Sequence, residues 1–469
     1  MDTKNKNWRS LWGNICRISK KMVGEDNILL VSHHDADGIT ACAIMLDLFQ
    51  SIDKNVDFMI IKQLDSTTVS KINEIDHDTI VFTDMGSGQI SLLRENKMEN
   101  FYIIDHHPPE SVYENQLNPH FYGYDGAFEI SGSGMAYLVA KSLNHMEMAP
   151  IAIVGAVGDM QDSDGKLHSL NRIILQDGID QGLLKVKHDL RLFGRQSRPL
   201  VQMLTYSSDP VIPGLTGNQN ACVAFLENLG IELKRNDDSW RSYVDLSREE
   251  REKLTTALYI HLLDSDIPEF VIQGMIGEVY TLLNEEKHTE LRDAKEFATV
   301  MNACGRQEQP EIGVRVCLGD RDENWKKAKN LLRFHRKKLR EGLEFLSNTG
   351  VEKLENLYYF DSNGRIDENI IGVIAGMAYG AGIIPPDRPI LAFADDKENP
   401  ALLKVSARAN WNLVRRGIHL GNVMSGESRK LGGEGGGHDI AAGARIPKER
   451  KDEFLSAVNK SFAKQVRKS

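Results

Sequence analysis

From about residue 27 onward, short apolar runs rich in β-formers alternate with longer stretches of helical periodicity. Four runs carry the pattern: Ile-Leu-Leu-Val-Ser (28–32) before His33, Ile-Val-Phe-Thr (80–83) before Asp84, Phe-Tyr-Ile-Ile (101–104) before Asp105, and Ile-Ala-Ile-Val-Gly-Ala-Val-Gly (151–158) before Asp159. Strand-like runs separated by helical segments predict a parallel sheet of the α/β class. Each run stops at an acidic or imidazole side chain. Open α/β sheets bind ligands at the carboxyl ends of their strands, so the four ends are expected around one crevice. Any one of these acids would serve equally well as a helix cap. Capping, however, does not call for the histidines interspersed among them.

Residues 186–300 change character, with loop signals at Asp209-Pro210 and Pro213-Gly214 and amphipathic stretches such as 249–263, and predict a mainly helical insert or connector. From about 301 the pattern is mixed again. Strands are expected at 313–318, 389–393 and 401–406 and a long helix at 325–346, making a second, smaller α/β domain with a mixed sheet. The expected organisation is therefore 1–185, 186–300 and 301–469. The longest apolar stretch, 370–384, is broken by Gly372, Gly376 and Gly380 and is too short to cross a membrane; it reads as a buried helix that approaches another backbone closely.

A chain of 469 residues is long enough for about three lobes at roughly 150 residues each. Its formal charge of −10 argues against a simple nucleic-acid binder. The charge is uneven, though: residues 1–300 hold 28 basic against 45 acidic side chains, and residues 301–469 hold 29 against 22. The last third is basic. Five scattered cysteines without a Cys-x-x-Cys pair indicate neither a disulfide framework nor a thiolate zinc site, which suits a reducing, cytoplasmic setting. The first ten residues lack the apolar core of a signal peptide.

In the segment His33-His34-Asp35-Ala36-Asp37-Gly38, residues 33, 35 and 37 of an extended strand end would point to one side, bringing an imidazole and two carboxylates together. Mixed imidazole and carboxylate ligands suit Mn²⁺, while Mg²⁺ prefers oxygen alone. With Asp84, Asp105-His106-His107 and Asp159 there are enough ligands for two ions, a pair that clamps a phosphodiester. Downstream, the glycine-rich run Gly432 to His438 exposes backbone N–H groups that could cradle an anion, or is a flexible loop. Between Lys326 and Arg340 lie eight basic residues and no acidic one, either a solvated face or a track for a single strand. Trp411 is open between base stacking and core packing.

The His-x-Asp-x-Asp-Gly segment, Asp84, the Asp105-His106-His107 signature and Asp159 resemble the four motifs of the DHH phosphoesterases. Lys404-Val-Ser-Ala-Arg408 and Gly432-Gly-Glu-Gly-Gly-Gly-His438-Asp-Ile-Ala-Ala-Gly443 resemble the substrate-binding domain that accompanies DHH catalytic domains in RecJ-type nucleases. With the segment Leu291 to Arg306, the chain is most similar to the archaeal RecJ-like, GINS-associated group, over residues 27–443. One departure is His33, where bacterial RecJ resemblances tend to have Asp.

The resemblance implies two Mn²⁺ ions (Mg²⁺ being the alternative), one on His33, Asp35 and Asp84, the other on Asp37, Asp84, His106 and Asp159, with Asp84 as the bridge. It implies that His107 acts beside the scissile phosphate and that Asp105 orients the imidazoles. His34 and Asp162 are expected in supporting or structural places. Arg408, Gly436, Gly437 and His438 would grip a nucleotide phosphate. The implied activity is stepwise exonucleolytic cleavage of single-stranded DNA or RNA to 5′-mononucleotides in replication or repair. The alternatives are a phosphodiesterase for short oligonucleotides or cyclic dinucleotides, and a replisome scaffold that docks GINS through the 186–300 insert. A pyrophosphate-cleaving phosphatase is disfavoured by the C-terminal Gly-Gly-Gly-His segment. No membrane partner is expected.

Overall fold

Strand β1 (Ile28–His33) is buried along its length as far as His33, and its neighbours are the equally apolar β3 (Thr79–Thr83) and the half-buried β2 (Val56–Ile61). With β4 (Phe101–Ile104) and β5 (Gln116–Leu117) they form an all-parallel sheet in the order β2-β1-β3-β4-β5. Near-continuous apolar strands are what a sheet covered on both faces requires. Leu30, Val81 and Tyr102 pack with Ile39, Met135 and Ile153 of the helices Ala36–Ser51, Gly132–Ser142 and Ala149–Gly158. Leu29, Val31, Phe82 and Ile103 turn the other way, onto Val69, Ile72, Ile90 and Leu93 of the helices Ser66–Asn73 and Ile90–Glu95. The computed structural model describes residues 3–207, 210–265, 267 and 269–466; Asp209, one of the expected loop signals, lies outside the described residues.

Two expected strands are helices. The run 151–158 belongs to the helix Ala149–Gly158, and 313–318 falls largely in the helix Pro310–Cys317. An apolar run of this length reads alike as a buried strand or a buried helix. A proline sits in the first turn of each, Pro150 and Pro310, where its fixed φ and missing N–H suit a helix start.

Strands β6 (Leu184–Leu190) and β7 (Ile276–Leu282) pair antiparallel and bracket a largely helical segment containing the helices Leu200–Thr205, Gln219–Asn228, Arg248–Asp264 and Glu269–Gly274. The helix Arg248–Asp264 starts on a reciprocal cap between Ser247 and Glu250. The helices Ala294–Arg306 and Pro310–Cys317 return to pack on Ala36–Ser51, so the first compact unit takes residues up to Ser207 and Pro213–Leu332. The second compact unit takes Ser208–Ile212 and the chain from Arg333, so the two units divide inside the long helix Glu323–Thr349.

The second unit, from Arg333 onward, is built on a mixed sheet of β8 (Glu352–Lys353), β9 (Tyr358–Asp361), β10 (Ile390–Asp395), β11 (Leu402–Arg408), β12 (Glu434–Gly437) and β13 (Ala441–Pro447). Their order is β12-β13-β11-β10-β9-β8, with β9 and β10 parallel and the other pairs antiparallel. The helix Glu368–Gly380 contributes Ile370, Ile371 and Ile374 to one core, and the helices Leu420–Lys430 and Lys451–Val466 contribute Val423, Met424, Phe454 and Phe462 to another. Among the described residues no helix is long and apolar enough to cross a membrane.

Candidate metal centre

β1 ends at His33 and the next helix begins at Ala36, so the chain reverses direction inside the His-x-Asp-x-Asp segment. Asp35 caps that helix, its Oδ1 accepting from Gly38 N at 3.0 Å, and Asp37 lies in the first turn. The three side chains converge through this strand-to-helix turn and not by alternation along an extended strand. Gly38 is demanded by it, because a Cβ there would lie 2.3 Å from the His33 carbonyl oxygen. Ser32 Oγ donates to the Gly38 carbonyl (2.7 Å) or to that of Thr83 (3.1 Å), fastening the ends of β1 and β3 together.

Asp84 leaves β3 with φ 58°, a left-handed conformation that costs a non-glycine residue roughly 1–3 kcal/mol and persists only where the surroundings enforce it. Its buried carboxylate lies 3.1 Å (Oδ1) from His106 Nε2 and 3.7 Å (Oδ2) from His33 Nδ1. Asp37, from the other side, lies 3.7 Å from His106 Nε2 and accepts from the first two N–H groups of the helix Gly132–Ser142, Gly132 N at 2.6 Å and Ser133 N at 3.0 Å. Asp159 ends the helix Ala149–Gly158 and lies 3.9 Å from His106 Nδ1. An acid at a helix C-terminus opposes the helix dipole, so capping does not account for it.

Asp105 is differently occupied. Its Oδ1 accepts from the backbone N–H of His106 (2.8 Å) and His107 (3.2 Å) and from His107 Nδ1 (2.8 Å), and its Oδ2 from Ser87 N (2.9 Å). It holds the turn after β4 and fixes the half-exposed His107 ring by one edge. His34 Nδ1 lies 3.1 Å from His33 Nε2. Burial, then the neighbouring His33, keep His34 well below the usual imidazole range. Neutral His34 therefore accepts from His33 Nε2–H and leaves Nδ1 of His33 toward Asp35 (3.0 Å) and Asp84. Asp162 forms a buried ion pair with Arg191 at 2.5 Å, a structural place.

The charges are unbalanced. Burial and then the Asp84 carboxylate push Asp37 up to about 6, and burial followed by the remaining carboxylates pushes Asp159 up to about 8 despite His106. Burial opposes a charge on His33, yet Asp35 and Asp84 outweigh it and push the imidazole up to about 10. Each of these shifts relieves excess negative charge in a low-dielectric pocket, which a bound cation would relieve more fully. Three ligand groups have their atoms within 4.8 Å of one another: His33, Asp35 and Asp84; Asp37, His106 and Asp159; and Asp84, Asp105, His106 and His107. Asp84 Oδ1 is buried and accepts no hydrogen bond among the described residues. Neighbouring glycines keep the space open, since a Cβ on Gly132 or Gly155 would lie 2.6 Å from the Asp84 or Asp37 carboxylate. The donor set and the buried acceptor fit divalent cations.

The cluster also uses residues the sequence reading did not single out: the N–H groups of Gly132 and Ser133, Gln161 (donating to Asp159 Oδ2 at 2.9 Å), and Asn302, whose Oδ1 accepts from Ala36 N at 3.1 Å. Ser131-Gly-Ser-Gly, a capping serine opening a glycine-rich helix start, was the available signal for the first two.

In the second unit, Arg408 ends β11 and Gly436 and Gly437 end β12, both strands flanking β13. Arg408 pairs with Ala441 and Gly437 with Ala442, while His438 N donates to Ala441 O at 2.8 Å, so Arg408 and His438 flank one end of β13. A Cβ on Gly372 would lie 2.5 Å from Arg408 Nη2, and one on Gly376 3.8 Å from the Arg408 stem. These glycines make room for an arginine side chain and not for a second backbone. The Trp411 side chain lies outside the described residues.

Comparison with known proteins matches residues 27–157 to the DHH family N-terminal domain, 192–276 to the DHH-CID domain and 363–464 to the DHHA1 domain. An uncharacterised protein of Methanocaldococcus jannaschii is 31% identical over 452 residues, 94% of either chain. The single-stranded-DNA-specific exonuclease RecJ of Bacillus subtilis is 26% identical over 183 residues, 35% of this chain and 22% of that protein. Among solved structures, CDC45 from Entamoeba histolytica has a TM-score of 0.61 at 15% identity, covering 98% of this chain and 99% of that one. RecJ from Thermus thermophilus in complex with Mn²⁺ has a TM-score of 0.57 at 16% identity, covering 97% of this chain and 55% of that one. The chain thus spans about half or less of these two RecJ proteins and nearly all of the other two. With its ligand cluster at the strand ends and all three domain matches in order, the chain belongs to the DHH family as a RecJ-like phosphoesterase.

Proposed function

We propose that this protein is a Mn²⁺-dependent exonuclease that shortens single-stranded nucleic acid stepwise to 5′-mononucleotides, in replication or repair. The observation that carries this reading is the juxtaposition of ligand groups around Asp84 and His106. His33, Asp35 and Asp84 would hold one ion, and Asp37, Asp84, His106 and Asp159 the other. When bound, such a pair of ions lowers the pKa of an attacking water and neutralises the leaving oxygen. Asp84, forced into its left-handed conformation, presents one carboxylate oxygen to each ligand group. His107, steadied by Asp105, would donate to the scissile phosphate or move a proton beside it.

On the second unit, the Arg408 guanidinium and the backbone around Gly436, Gly437 and His438 would hold a nucleotide phosphate. From Arg333 onward the helix Glu323–Thr349 turns Arg333, Lys337 and Arg340 outward at helical spacing, with the half-exposed Phe334 among them, a surface suited to a phosphate backbone.

The test is digestion of single-stranded DNA and RNA, labelled at either end in turn, with Mn²⁺ or Mg²⁺ as the only divalent ion. Stepwise release of mononucleotides from long strands is expected. Turnover confined to dinucleotides would favour the short-oligonucleotide reading, and no turnover of any phosphodiester would end the enzymatic one. A second, compatible role, which the resemblance to the GINS-associated group implies, is the docking of replisome proteins such as GINS by the insert, and a pull-down with and without residues 192–276 would check it.

A further inference from the structure

Gln161 stands two residues after Asp159 and is completely buried. Met160 between them has φ 59° and is 56% exposed, so the chain reverses there and both neighbours turn inward. The Gln161 carboxamide is fully engaged: Nε2 donates to Asp159 Oδ2 at 2.9 Å and to the Gly126 carbonyl at 2.8 Å, and Oε1 accepts from Asn171 Nδ2 at 2.6 Å. A flipped amide would set its oxygen against two acceptors and its NH₂ against another donor, so the network admits one orientation.

The Gly126 carbonyl also receives His106 Nδ1 at 2.7 Å. A carbonyl can only accept, which places a proton on Nδ1 and leaves Nε2, facing Asp84 (3.1 Å) and Asp37 (3.7 Å), as the ring nitrogen open to a cation. Gly126 can approach because it lacks a Cβ, which would lie 1.8 Å from the His106 carbonyl oxygen. Both Gln161 donors therefore end on one ligand group: directly on Asp159, and on the carbonyl that orients His106. Neither of these donor bonds runs to His33 or Asp35.

We infer that Gln161 is a positioning residue for one of the two ions only, the one held by Asp37, His106 and Asp159, and that it acts by fixing the Asp159 carboxylate and steadying the carbonyl that selects the His106 tautomer. The inference rests on the two-ion reading proposed above. Groups that orient metal ligands in this manner typically contribute about 10–100-fold in affinity. A buried glutamine that merely satisfied its own hydrogen bonds would, when replaced, disturb the fold without distinguishing one ion from the other.

Mn²⁺ titration of the full chain, followed by calorimetry and by the electron paramagnetic resonance of free Mn²⁺, tests this with a melting curve in EDTA as the measure of folding. In Gln161→Leu, one Mn²⁺ should bind with wild-type affinity and the other about 10–100-fold more weakly, with turnover regained at high Mn²⁺ and the substrate KM unchanged. Two wild-type affinities in the variant, or equal weakening of both, would overturn the inference. A wild-type chain that binds fewer than two ions would instead remove the reading beneath it. Should the Leu variant fail to melt cooperatively, Gln161→Glu keeps the volume with at most one donor. The same selective loss is expected of it, and its retention of both affinities would equally overturn the role.

Discussion

The two units treat their candidate ligands in opposite ways. In the first, the groups around Asp84, buried or partly buried, are each held by something else: Asp37 by two helix N–H groups, Asp105 by four donors, His33 by His34 and His106 by the Gly126 carbonyl. In the second, Arg408 and the glycines beside it sit at strand ends, partly exposed. Small multivalent ions demand fixed donors at short range, whereas a phosphate on a flexible strand tolerates looser capture by backbone N–H groups and a guanidinium. The first region should therefore be intolerant of small displacements, and the second should lose affinity gradually.

The harshest way to break this contrast is Asp84→Ala. Removing the carboxylate that both ligand groups approach should abolish both Mn²⁺ sites and reduce hydrolysis to background, while far-UV circular dichroism and cooperative melting persist. Wild-type Mn²⁺-dependent turnover in this variant would leave the rigid region without its central member.

Gly132→Ala comes next. It deletes no ligand, yet its Cβ would press on Asp84 Oδ1 from 2.6 Å. A displacement of about 1 Å at such a centre costs about 100-fold in rate, and crowding of a packed site costs about 1–3 kcal/mol of stability. We expect kcat to fall by about that factor with little change in substrate KM.

Arg408→Ala should do the reverse. Hydrogen bonds to a charged partner contribute about 1.5–3 kcal/mol, so KM for a single strand should rise about 10–100-fold with kcat and Mn²⁺ affinity nearly unchanged. If kcat fell and KM held, the arginine would be acting on the reaction and not on capture, and the contrast between the two regions would fail.

Much of the rigid region was legible in the chain itself, because its strands are short, largely apolar runs that stop at or just before a ligand: His33, Asp84 and the Asp105-His106-His107 turn are all placed this way. Asp159 was singled out at the end of a supposed strand and stands at the end of a helix; a fully buried apolar run does not reveal its own period, and the proline at its start was the better guide. What could not be read were donors delivered from elsewhere in the fold. Gly132 and Ser133 reach Asp37 from some 95 residues away, and Asn302 reaches Ala36 from 266. Gly372 and Gly376 announced a close approach without disclosing that the partner would be the Arg408 side chain. Sequence periodicity reports which face is buried, and only the tertiary structure says against what.

The smallest expected effect separates burial from ion binding. Glu296 is a buried carboxylate of the first unit that belongs to none of the three ligand groups; it accepts from Gln196 N at 2.8 Å, from Ser197 N at 3.3 Å and from the Ser197 hydroxyl. Burial, and then the Asp293 carboxylate nearby, raise it above its ordinary 4.5. A carboxyl raised in the folded state is bound to a proton that the unfolded chain has already released, so its contribution to stability is complete below about pH 4.5 and is lost as the pH climbs toward the folded value. Glu296→Gln should therefore flatten the fall in Tm between about pH 5 and pH 8, at a cost of about 1 kcal/mol or less at acid pH, where the wild-type group is already neutral. Saturating Mn²⁺ should raise Tm at every pH, by about 2.7 kcal/mol of stability at one hundred times its Kd. It should nevertheless leave the Glu296 contribution to the slope intact, because no ion reaches that carboxylate. Mn²⁺ also displaces the protons of Asp37 and Asp159 in this window, so the test is the difference in slope between wild type and Glu296→Gln, which should be the same with and without the ion. If Mn²⁺ abolished that difference, burial and ion binding in this unit would be one coupled network, and the rigidity of the metal centre would extend to the start of the helix Ala294–Arg306.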